Sequence, residues 1–177
     1  VIKKDNITKC KGVIAGGESG QESIYNGLKV AHDKYSPESV AVLIHDGVRP
    51  MINKETITAC IDNVYSKGNA ITTTPATETI FINGEDNDVG EIVNRSLCSM
   101  ARAPQCFFLK EIYDAHQKAQ TEGKLDFVDS AMLMQYYGAT LHMVEGPVEN
   151  IKITTPMDFY LFKAMLDAKE NMQIVGI

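Results

Sequence analysis

Short apolar runs alternate along the chain with longer stripes of apolar residues at helical spacing. Apolar runs that indicate strands lie at 12–15, 40–44, 70–74, 140–144 and 151–154. Stripes that indicate helices lie at 19–32, 53–68, 109–120, 127–137 and from 155 onward. Strands alternating with helices predict an α/β fold with a mostly parallel sheet. Ligands of such sheets bind beyond the carboxyl ends of the strands, so side chains at those ends are the first candidates for function.

Two of the helices carry clear signals for their boundaries. Asn53 is suited to cap the helix that Gly68 closes, since asparagine accepts from free amides and glycine adopts the left-handed conformation after a helix. A hydroxyl, a proline and a carboxylate follow one another in Thr155-Pro156-Met157-Asp158. The two signals predict helices that begin just after Asn53 and just after Thr155.

The alternation is interrupted between the third strand and the next helix. The apolar segments 79–82 and 91–93 flank a turn-rich segment at 83–87, a pattern typical of a β-hairpin. A hairpin set between βα units projects from the main sheet. We therefore predict a β-arm at about 76–102.

Composition removes several classes of protein from consideration. The chain has 177 residues, 44% of them hydrophobic, which is enough for one domain with a core of its own. A net charge of -6 without a basic stripe argues against nucleic-acid binding. No apolar run is long enough for a membrane span, no signal-peptide pattern is recognisable, and the four cysteines lack the spacing of zinc sites. We expect a cytoplasmic protein without nucleic-acid or membrane partners.

The run 40–44 ends in His45-Asp46-Gly47-Val48-Arg49, which brings a carboxylate and a guanidinium to the rim of the sheet. One carboxylate together with substrate phosphates is a common way to hold Mg²⁺, because this ion keeps much of its hydration. Gly47 lets a ligand approach the backbone, and Arg49 offers a planar fork for phosphate. An Asp-Gly turn with a surface ion pair would account for the same residues.

A glycine-rich segment, 16–23, lies between the run 12–15 and the first helix. Free amides and glycines at a helix N-terminus suit a phosphate or a nucleotide. The spacing is neither that of the dinucleotide-binding G-x-G-x-x-G motif nor that of the P-loop. A glycine-rich turn with a polar helix cap explains the segment equally well.

Three further cations have open roles. Lys152 lies in the apolar run 151–154, where a lysine that extends its amine to solvent is the ordinary explanation. Arg95 follows the hairpin and Arg102 precedes Ala103, and either fits an ordinary surface charge. The histidines show no metal-binding spacing, and no nucleophile elbow or Ser-His-Asp arrangement is recognisable.

Five stretches together resemble the CTP-dependent polyol-phosphate cytidylyltransferases, which include the enzymes acting on 2-C-methyl-D-erythritol 4-phosphate and on ribitol 5-phosphate. They occur in the family's order and are AGGESGQESIYNGL (15–28), VLIHDGVRP (42–50), APQCF (103–107), FVDSAMLMQYYG (127–138) and VEGPVENIKITTPMDF (144–159). Each is unspecific alone, whereas the combination covers nearly the whole chain. The resemblance implies a Rossmann-like nucleotidyltransferase fold of the glycosyltransferase-A type. This would be a three-layer sandwich with a projecting β-arm and a single domain over 1–177.

The resemblance also implies a reaction, in which CMP passes from CTP to a polyol phosphate and pyrophosphate is released. It assigns Asp46 to the catalytic Mg²⁺, and Arg49 and Lys152 to the polyol phosphate and to the charge that develops during attack. Thr79 and Arg95 match arm residues that reach the substrate of the other subunit, which implies a homodimer. The nucleotide would contact Gly16, Gly17, Glu18, Ser23 and Gly47.

Departures from the family pattern lead to two more expectations. The family begins with a strand and a glycine-rich loop followed by a lysine, which enclose the triphosphate, and this sequence shows no such segment. We therefore expect an N-terminally incomplete domain. One consequence of this expectation is that the chain as given is inactive. Ala103 and Val128 replace residues that often carry a hydroxyl in the family, which favours a polyol other than methylerythritol phosphate.

Three functions stay open from the sequence. The first is an enzyme that makes a CDP-polyol for isoprenoid, teichoic-acid or capsule biosynthesis. The second is a non-catalytic, dimerising remnant of such an enzyme, which the missing glycine-rich loop would favour. The third is a sugar-phosphate nucleotidyltransferase that uses another base, which a comparison of CTP with UTP and ATP would identify.

Overall fold

A computed structural model describes the backbone of residues 7–175 and the side chains of residues 7–171. This part of the chain forms two compact units, one of residues 7–40 and 108–140 and the other of residues 41–107 and 141–175. We call them the helical unit and the sheet unit. The single-domain prediction stays a prediction, and its outermost residues, 1–6 and 176–177, lie outside the described part.

The regular elements follow the alternation predicted from the sequence, with one long additional strand. In chain order they are α1 (Gly20–Lys34), β1 (Ala41–Ile44), α2 (Lys54–Lys67), β2 (Asn69–Pro75), β3 (Ile80–Asn83), β4 (Val89–Val93), β5 (Ser99–Phe108), α3 (Leu109–Thr121), α4 (Ser130–Tyr136), β6 (Met143–Glu145) and α5 (Pro156–Val175). None of these helices is long and apolar enough to cross a membrane.

The sheet unit is built around four strands in the order β1-β5-β2-β6. β6 runs parallel to β2, whereas β5 runs antiparallel to it, so the sheet is mixed. Cys60 and Val64 of α2 and Cys106 and Phe107 of β5 are fully buried and form the core of this unit. Since β2 and β6 are parallel, their carboxyl ends meet at one edge, where the loops after both strands begin.

β5 is the strand that the sequence did not predict. Its residues 103–107 are all buried, and it carries Pro104 inside the sheet. The register explains how this proline is accommodated. Ile71 pairs with Gln105 and Thr73 with Ala101, so three residues of β5 lie opposite one residue of β2. Proline is tolerated at such a bulge because no ladder hydrogen bond is required there.

β3 and β4 form a separate two-stranded antiparallel sheet, in which Ile80 pairs with Val93 and Ile82 with Glu91. The predicted hairpin is therefore present. Its apolar side chains are largely exposed within the described chain, among them Phe81, Ile82, Val89 and Ile92.

The helical unit packs α1 against α3 and α3 against α4. Leu28 of α1 and Ile112 of α3 are buried in this core, and the rings of Tyr25 and Tyr113 stack with centroids 5.8 Å apart. Gln21 links its helix to the loop before α4. Its Nε2 donates to the carbonyl of Lys124 at 2.9 Å, and its Oε1 accepts from the amide of residue 127 at 3.0 Å.

The predicted helix boundaries are confirmed where capping signals were present. Asn53 accepts from the amide of Thr56 at 2.9 Å, and Gly68 closes α2 with φ of 92°, in the left-handed region. Asp158 accepts from the amide of Thr155 at 2.8 Å, while the Thr155 hydroxyl accepts from the amide of Asp158 at 3.2 Å. The reciprocal bonds form the predicted cap of α5.

Two predicted strands are wrong, and one predicted helix begins later than expected. The run 12–15 is not a strand, and Val13 is 80% exposed there. The segment 151–154 is not a strand either, although the amide of Ile153 donates to the carbonyl of Val48 at 2.9 Å. The fourth helix begins at Ser130 rather than at 127, because Asp129 accepts from the amide of Met132 and fixes the start.

Candidate active site

A tight turn after β1 brings Asp46 and Arg49 together. The amide of Arg49 donates to the carbonyl of Asp46 at 3.0 Å, and its side-chain Nε donates to Asp46 Oδ2 at 2.8 Å. His45 contacts the same turn, since its Nε2 lies 2.9 Å from the carbonyl of Arg49. Arg49 is only 9% exposed, and the bond from its Nε to Asp46 holds the guanidinium against this turn.

Asn150 holds the other side of the Arg49 guanidinium. Its carbonyl accepts from Arg49 Nη1 at 2.7 Å, and its fully buried side chain donates through Nδ2 to the carbonyl of Ala103 at 2.8 Å. The hydrogen bonds join the turn after β1, the loop after β6 and the bulge of β5. Arg49 is thereby placed by the Asp46 carboxylate and the buried carbonyl of Asn150, and within the described residues its other N–H groups stay available for a ligand.

Lys152 completes a cluster of one carboxylate and two cations. Its Nζ lies 3.5 Å from Asp46 Oδ1, on the oxygen that Arg49 does not use. The backbone bond between Ile153 and Val48 fixes the segment next to the turn. The side chain of Lys152 is 48% exposed, in contrast to that of Arg49, so its amine can follow a ligand at the surface.

The cluster keeps Asp46 ionised. Partial burial by itself raises the pKa of this carboxyl, but the hydrogen bond from Arg49 and the charge of Lys152 outweigh the burial. The net result is a pKa below the ordinary value for aspartate. The site therefore presents a permanent carboxylate next to two cations at neutral pH.

Arg102, on the bulge of β5, is a further cation near this cluster. Its Nε donates to the hydroxyl of Thr74 at 3.2 Å, and no carboxylate of residues 7–171 forms an ion pair with it. Burial and the positive charge of Arg49 both lower its pKa. Sequence reasoning treated Arg102 as a surface charge because its position on a buried strand opposite Thr74 was not visible.

The glycine-rich loop belongs to the helical unit. The Ser23 hydroxyl accepts from the amide of Gly17 at 2.9 Å and donates to the carbonyl of Ser19, while Glu22 accepts from the amide of Glu18 at 2.7 Å. A Cβ at position 17 would collide with the Glu22 side chain as it lies in this cap, so a larger residue would displace Glu22. The loop thus folds back on the first turn of α1 through the polar cap that the sequence suggested.

The arm residues Thr79 and Arg95 lie in the sheet unit, flanking the hairpin. Both are exposed, and Arg95 Nη1 donates to the carbonyl of Thr77 at 2.9 Å, across the two ends of the hairpin. Gly47 is exposed in the turn after β1, and a side chain there would meet open space. Its predicted contact with a nucleotide stays a prediction.

Of the predicted site residues, the structure brings Asp46, Arg49 and Lys152 into contact. The loop residues Gly16, Gly17, Glu18 and Ser23 form a second group of their own. Sequence reasoning missed Asn150 and Arg102. Asn150 lies within the stretch 144–159 used for the resemblance, but its burial against Ala103 connects residues far apart in sequence, which no local pattern indicates.

The residues around Asp46 are compatible with a Mg²⁺ ion that is bound partly by the protein and partly by substrate phosphates. Among the described residues no cluster of three or more histidine, cysteine, aspartate or glutamate side chains could enclose a metal ion. Asp46 supplies one carboxylate, and among residues 7–171 its Oδ1 is contacted only by Lys152, at 3.5 Å. Mg²⁺ is often bound by one or two carboxylates, with phosphates and waters completing its shell.

Comparisons with known proteins identify the family of this chain. The model of the family described as IspD: 2-C-methyl-D-erythritol 4-phosphate cytidylyltransferase matches residues 3–168. Ribitol-5-phosphate cytidylyltransferase of Streptococcus agalactiae serotype V is 46% identical over 177 residues, which cover 100% of this chain and 73% of that protein. 2-C-methyl-D-erythritol 4-phosphate cytidylyltransferase of Syntrophus aciditrophicus is 35% identical, over 97% of this chain and 74% of that protein.

A solved structure shares the fold. The crystal structure of 4-diphosphocytidyl-2C-methyl-D-erythritol synthase from Anaerococcus prevotii matches with a TM-score of 0.80 and 30% identity, over 94% of this chain and 73% of that chain. The predicted α/β fold of the Rossmann-like nucleotidyltransferase type is thereby confirmed. This chain belongs to the 2-C-methyl-D-erythritol 4-phosphate cytidylyltransferase (IspD) family.

Proposed function

We propose that this chain transfers CMP from CTP to a polyol phosphate and that ribitol 5-phosphate is the acceptor. The observation that carries the proposal is the cluster in which Asp46 is held between Arg49 and Lys152. Family membership supports CTP-dependent transfer to a polyol phosphate. The choice of ribitol 5-phosphate rests on the 46% identity to an enzyme of that name, against 35% to one named for methylerythritol phosphate.

The reaction needs charge stabilisation more than covalent chemistry. An oxygen of the acceptor phosphate attacks the α-phosphorus of CTP in line, and the bond from that phosphorus to the bridging oxygen breaks, so pyrophosphate leaves. Two anions must approach each other, and negative charge spreads over the transferred group. Fixed cations at this point lower the barrier without reorganising during the reaction.

Arg49 is suited to this task because its guanidinium is already oriented. Two of its nitrogens are bound to Asp46 and to the carbonyl of Asn150, so the free edge faces one direction only. Binding a phosphate there costs little side-chain entropy. Lys152, which is more exposed, provides a mobile point charge that can follow the acceptor phosphate as the new bond forms.

Asp46 is the residue that would hold Mg²⁺ together with phosphate oxygens. The ion, when bound, would neutralise part of the triphosphate charge. Because its pKa is lowered, Asp46 is ionised throughout the neutral range and is ready to bind a cation. It also keeps Arg49 in place through the 2.8 Å hydrogen bond.

The remaining assignments complete the proposal. Gly16, Gly17, Glu18, Ser23 and Gly47 contact the cytidine nucleotide. Thr79 and Arg95 reach the acceptor in the second subunit of a homodimer that forms through the arm. Exposed apolar side chains on β3 and β4 support the dimer, since such surfaces are commonly covered by another chain. A monomer in light scattering at micromolar concentration would remove the trans role of Thr79 and Arg95.

Pyrophosphate release tests the function directly. The protein, expressed from its complete coding sequence, is given Mg²⁺ and CTP with ribitol 5-phosphate or with 2-C-methyl-D-erythritol 4-phosphate. We expect release with CTP and a preference for ribitol 5-phosphate. A preference for the methylerythritol compound would contradict the assignment of ribitol 5-phosphate as the acceptor. Equal rates with UTP would contradict the specificity for CTP. No release of pyrophosphate from a folded protein would contradict the assignment of enzymatic activity.

A further inference from the structure

We propose that Arg102 binds the phosphate group of the polyol acceptor and, with Arg49, makes the phosphorylated polyol bind more tightly than the free polyol. The inference rests on the proposed function, since it assigns a residue to the acceptor side of that site. Neither the sequence motifs nor the family resemblance assigned Arg102 a role.

The position of Arg102 is the first argument. It lies in the three-residue bulge of β5 opposite Thr72, where the strand departs from the regular register. The neighbouring residue, Ala103, has its carbonyl bound by Asn150 Nδ2, and the carbonyl of Asn150 in turn accepts from Arg49 Nη1. One chain of buried hydrogen bonds therefore positions the bulge that carries Arg102 and the guanidinium of Arg49.

The charges are the second argument. Arg49, Lys152 and Arg102 are cations, whereas Asp46 is the single carboxylate paired with any of them within residues 7–171. Arg102 is close enough for the positive charge of Arg49 to act on it. Burial further raises the free-energy cost of the charged guanidinium of Arg102. Asp46 compensates the charge of Arg49, but no carboxylate of residues 7–171 pairs with Arg102. An anion that contacts Arg102 would offset the cost of holding its charge near that of Arg49.

Free donors are the third argument. An arginine has five N–H groups, and toward the described part of the chain Arg102 uses only Nε, in the bond to Thr74 Oγ1 at 3.2 Å. Thr74 is 1% exposed, so the hydroxyl is a fixed anchor for the guanidinium plane. The terminal nitrogens are left to form the bidentate contact that phosphate geometry favours. Ala103 offers no side-chain donor, so at this bulge Arg102 is the residue that can recognise an anion.

A split between the two Michaelis constants tests the assignment. For Arg102→Gln we expect the KM of ribitol 5-phosphate to rise about 10- to 100-fold, because charge-assisted hydrogen bonds to a phosphate are lost, while the KM of CTP changes less than about 2-fold. Lys29→Gln, which removes an exposed charge on α1, is the control and should leave both constants unchanged. Unchanged acceptor KM in a folded Arg102→Gln protein, or a rise confined to CTP, would overturn the proposal.

Two further measurements keep the test decisive. Arg102→Lys should recover only part of the acceptor affinity, since an ammonium lacks the planar fork, and Thr74→Val should raise the acceptor KM by a smaller factor. Calorimetric titration of ribitol 5-phosphate and of ribitol, with α,β-methylene-CTP present, reads binding without turnover. We expect Arg102→Gln to lose most of the preference for the phosphorylated compound. An inactive wild type that retains this preference would reject the proposed reaction but keep the role of Arg102, whereas equal binding by wild type and variant would reject the role.

Discussion

Two buried titratable side chains, Arg49 in the sheet unit and His116 in the helical unit, differ in their hydrogen bonding. In the sheet unit, Arg49 and Asn150 are buried, and their hydrogen bonds fix charged groups at the sheet edge. In the helical unit, His116 is 1% exposed, and neither ring nitrogen has a hydrogen-bond partner within the described chain. It packs instead near Tyr25, with ring centroids 6.0 Å apart.

The comparison shows that burial of a polar side chain has different consequences with and without hydrogen-bond partners. Partnered polar groups in the sheet unit hold a charged cluster rigid, which suits a site that must stabilise charge without moving. An unpartnered imidazole makes no such contribution, and we expect it to make the stability of the helical unit depend on pH. The glycine-rich loop in the same unit is held by exposed hydrogen bonds. Water competes for their donors and acceptors, so these bonds stabilise the loop less than buried bonds would.

The largest expected effect is on catalysis. Asp46→Asn should lower the rate of CMP transfer by about 100- to 1000-fold, because the proposed ligand of Mg²⁺ loses its charge and Arg49 loses its ionic partner. Asp114→Asn is the matched control, since it removes a carboxylate from the exposed pair with Lys110, and such pairs contribute little. Rates follow from pyrophosphate release, and circular dichroism checks the fold. Turnover near the wild-type rate in Asp46→Asn would remove the catalytic role of this carboxylate.

The next effect is the pH dependence of the helical unit. Burial lowers the pKa of His116 from 6.5 to about 4, so the folded protein binds the proton less readily than the unfolded chain. The stabilisation is fully present above about pH 6.5 and is lost as the pH falls toward 4, with a total near 3 kcal/mol from about 1.4 kcal/mol per unit. Urea unfolding from pH 7 to pH 4.5 measures it. His116→Phe should flatten this part of the profile, whereas His142→Phe, at a half-buried position of the sheet unit, serves as the control. A slope unchanged in His116→Phe would contradict the assignment.

A smaller effect concerns the anchor of the sheet-unit cluster. Asn150→Ala should lower the free energy of unfolding by about 2 kcal/mol, because the buried carbonyl of Ala103 loses its donor and a small cavity remains. Asn94→Ala removes an exposed cap that accepts from Ser96, and we expect it to cost under about 1 kcal/mol. Equal losses for the two variants in chemical denaturation would show that burial does not distinguish them.

The smallest effect is expected in the glycine-rich loop. Ser23→Ala removes the acceptor of the Gly17 amide, and we expect an increase of about 3-fold in the KM of CTP with a stability loss under about 1 kcal/mol. Ser66→Ala deletes a comparable exposed hydroxyl, which bonds to the carbonyl of Asp62 on α2, and should leave the KM unchanged. If Ser23→Ala altered the KM of the acceptor instead, the loop would belong to the other substrate.

Local signals account for what the sequence predicted correctly. The caps at Asn53, Gly68 and Thr155 depend on neighbouring residues, so their patterns can be recognised without the fold. β5 was not predicted because Pro104 and the absence of apolar-polar alternation argue against a strand. The bulge that accommodates Pro104 depends on pairing with β2, which the sequence does not show. The run 12–15 was wrongly predicted as a strand, because an apolar composition suggests a strand but does not supply a partner strand.

The same distinction holds for the site. Asp46 and Arg49 are three residues apart, and their turn was visible as a motif after a strand. The contact of Lys152 with Asp46 was expected only through the resemblance. Asn150 and Arg102 escaped because their roles depend on contacts with Ala103 and Thr74, which lie 47 and 28 residues away along the chain.

The bulge of β5 has a consequence for redesign of the enzyme. Regular pairing with β2 continues on both sides of it, and the bulge itself is tied down through backbone oxygens, that of Ala103 by Asn150 and that of Pro104 by Thr72. The side chain at position 102, which is not fully buried, can therefore be exchanged without changing the strand register. A library confined to this position is a compact starting point for redirecting the enzyme to other acceptors.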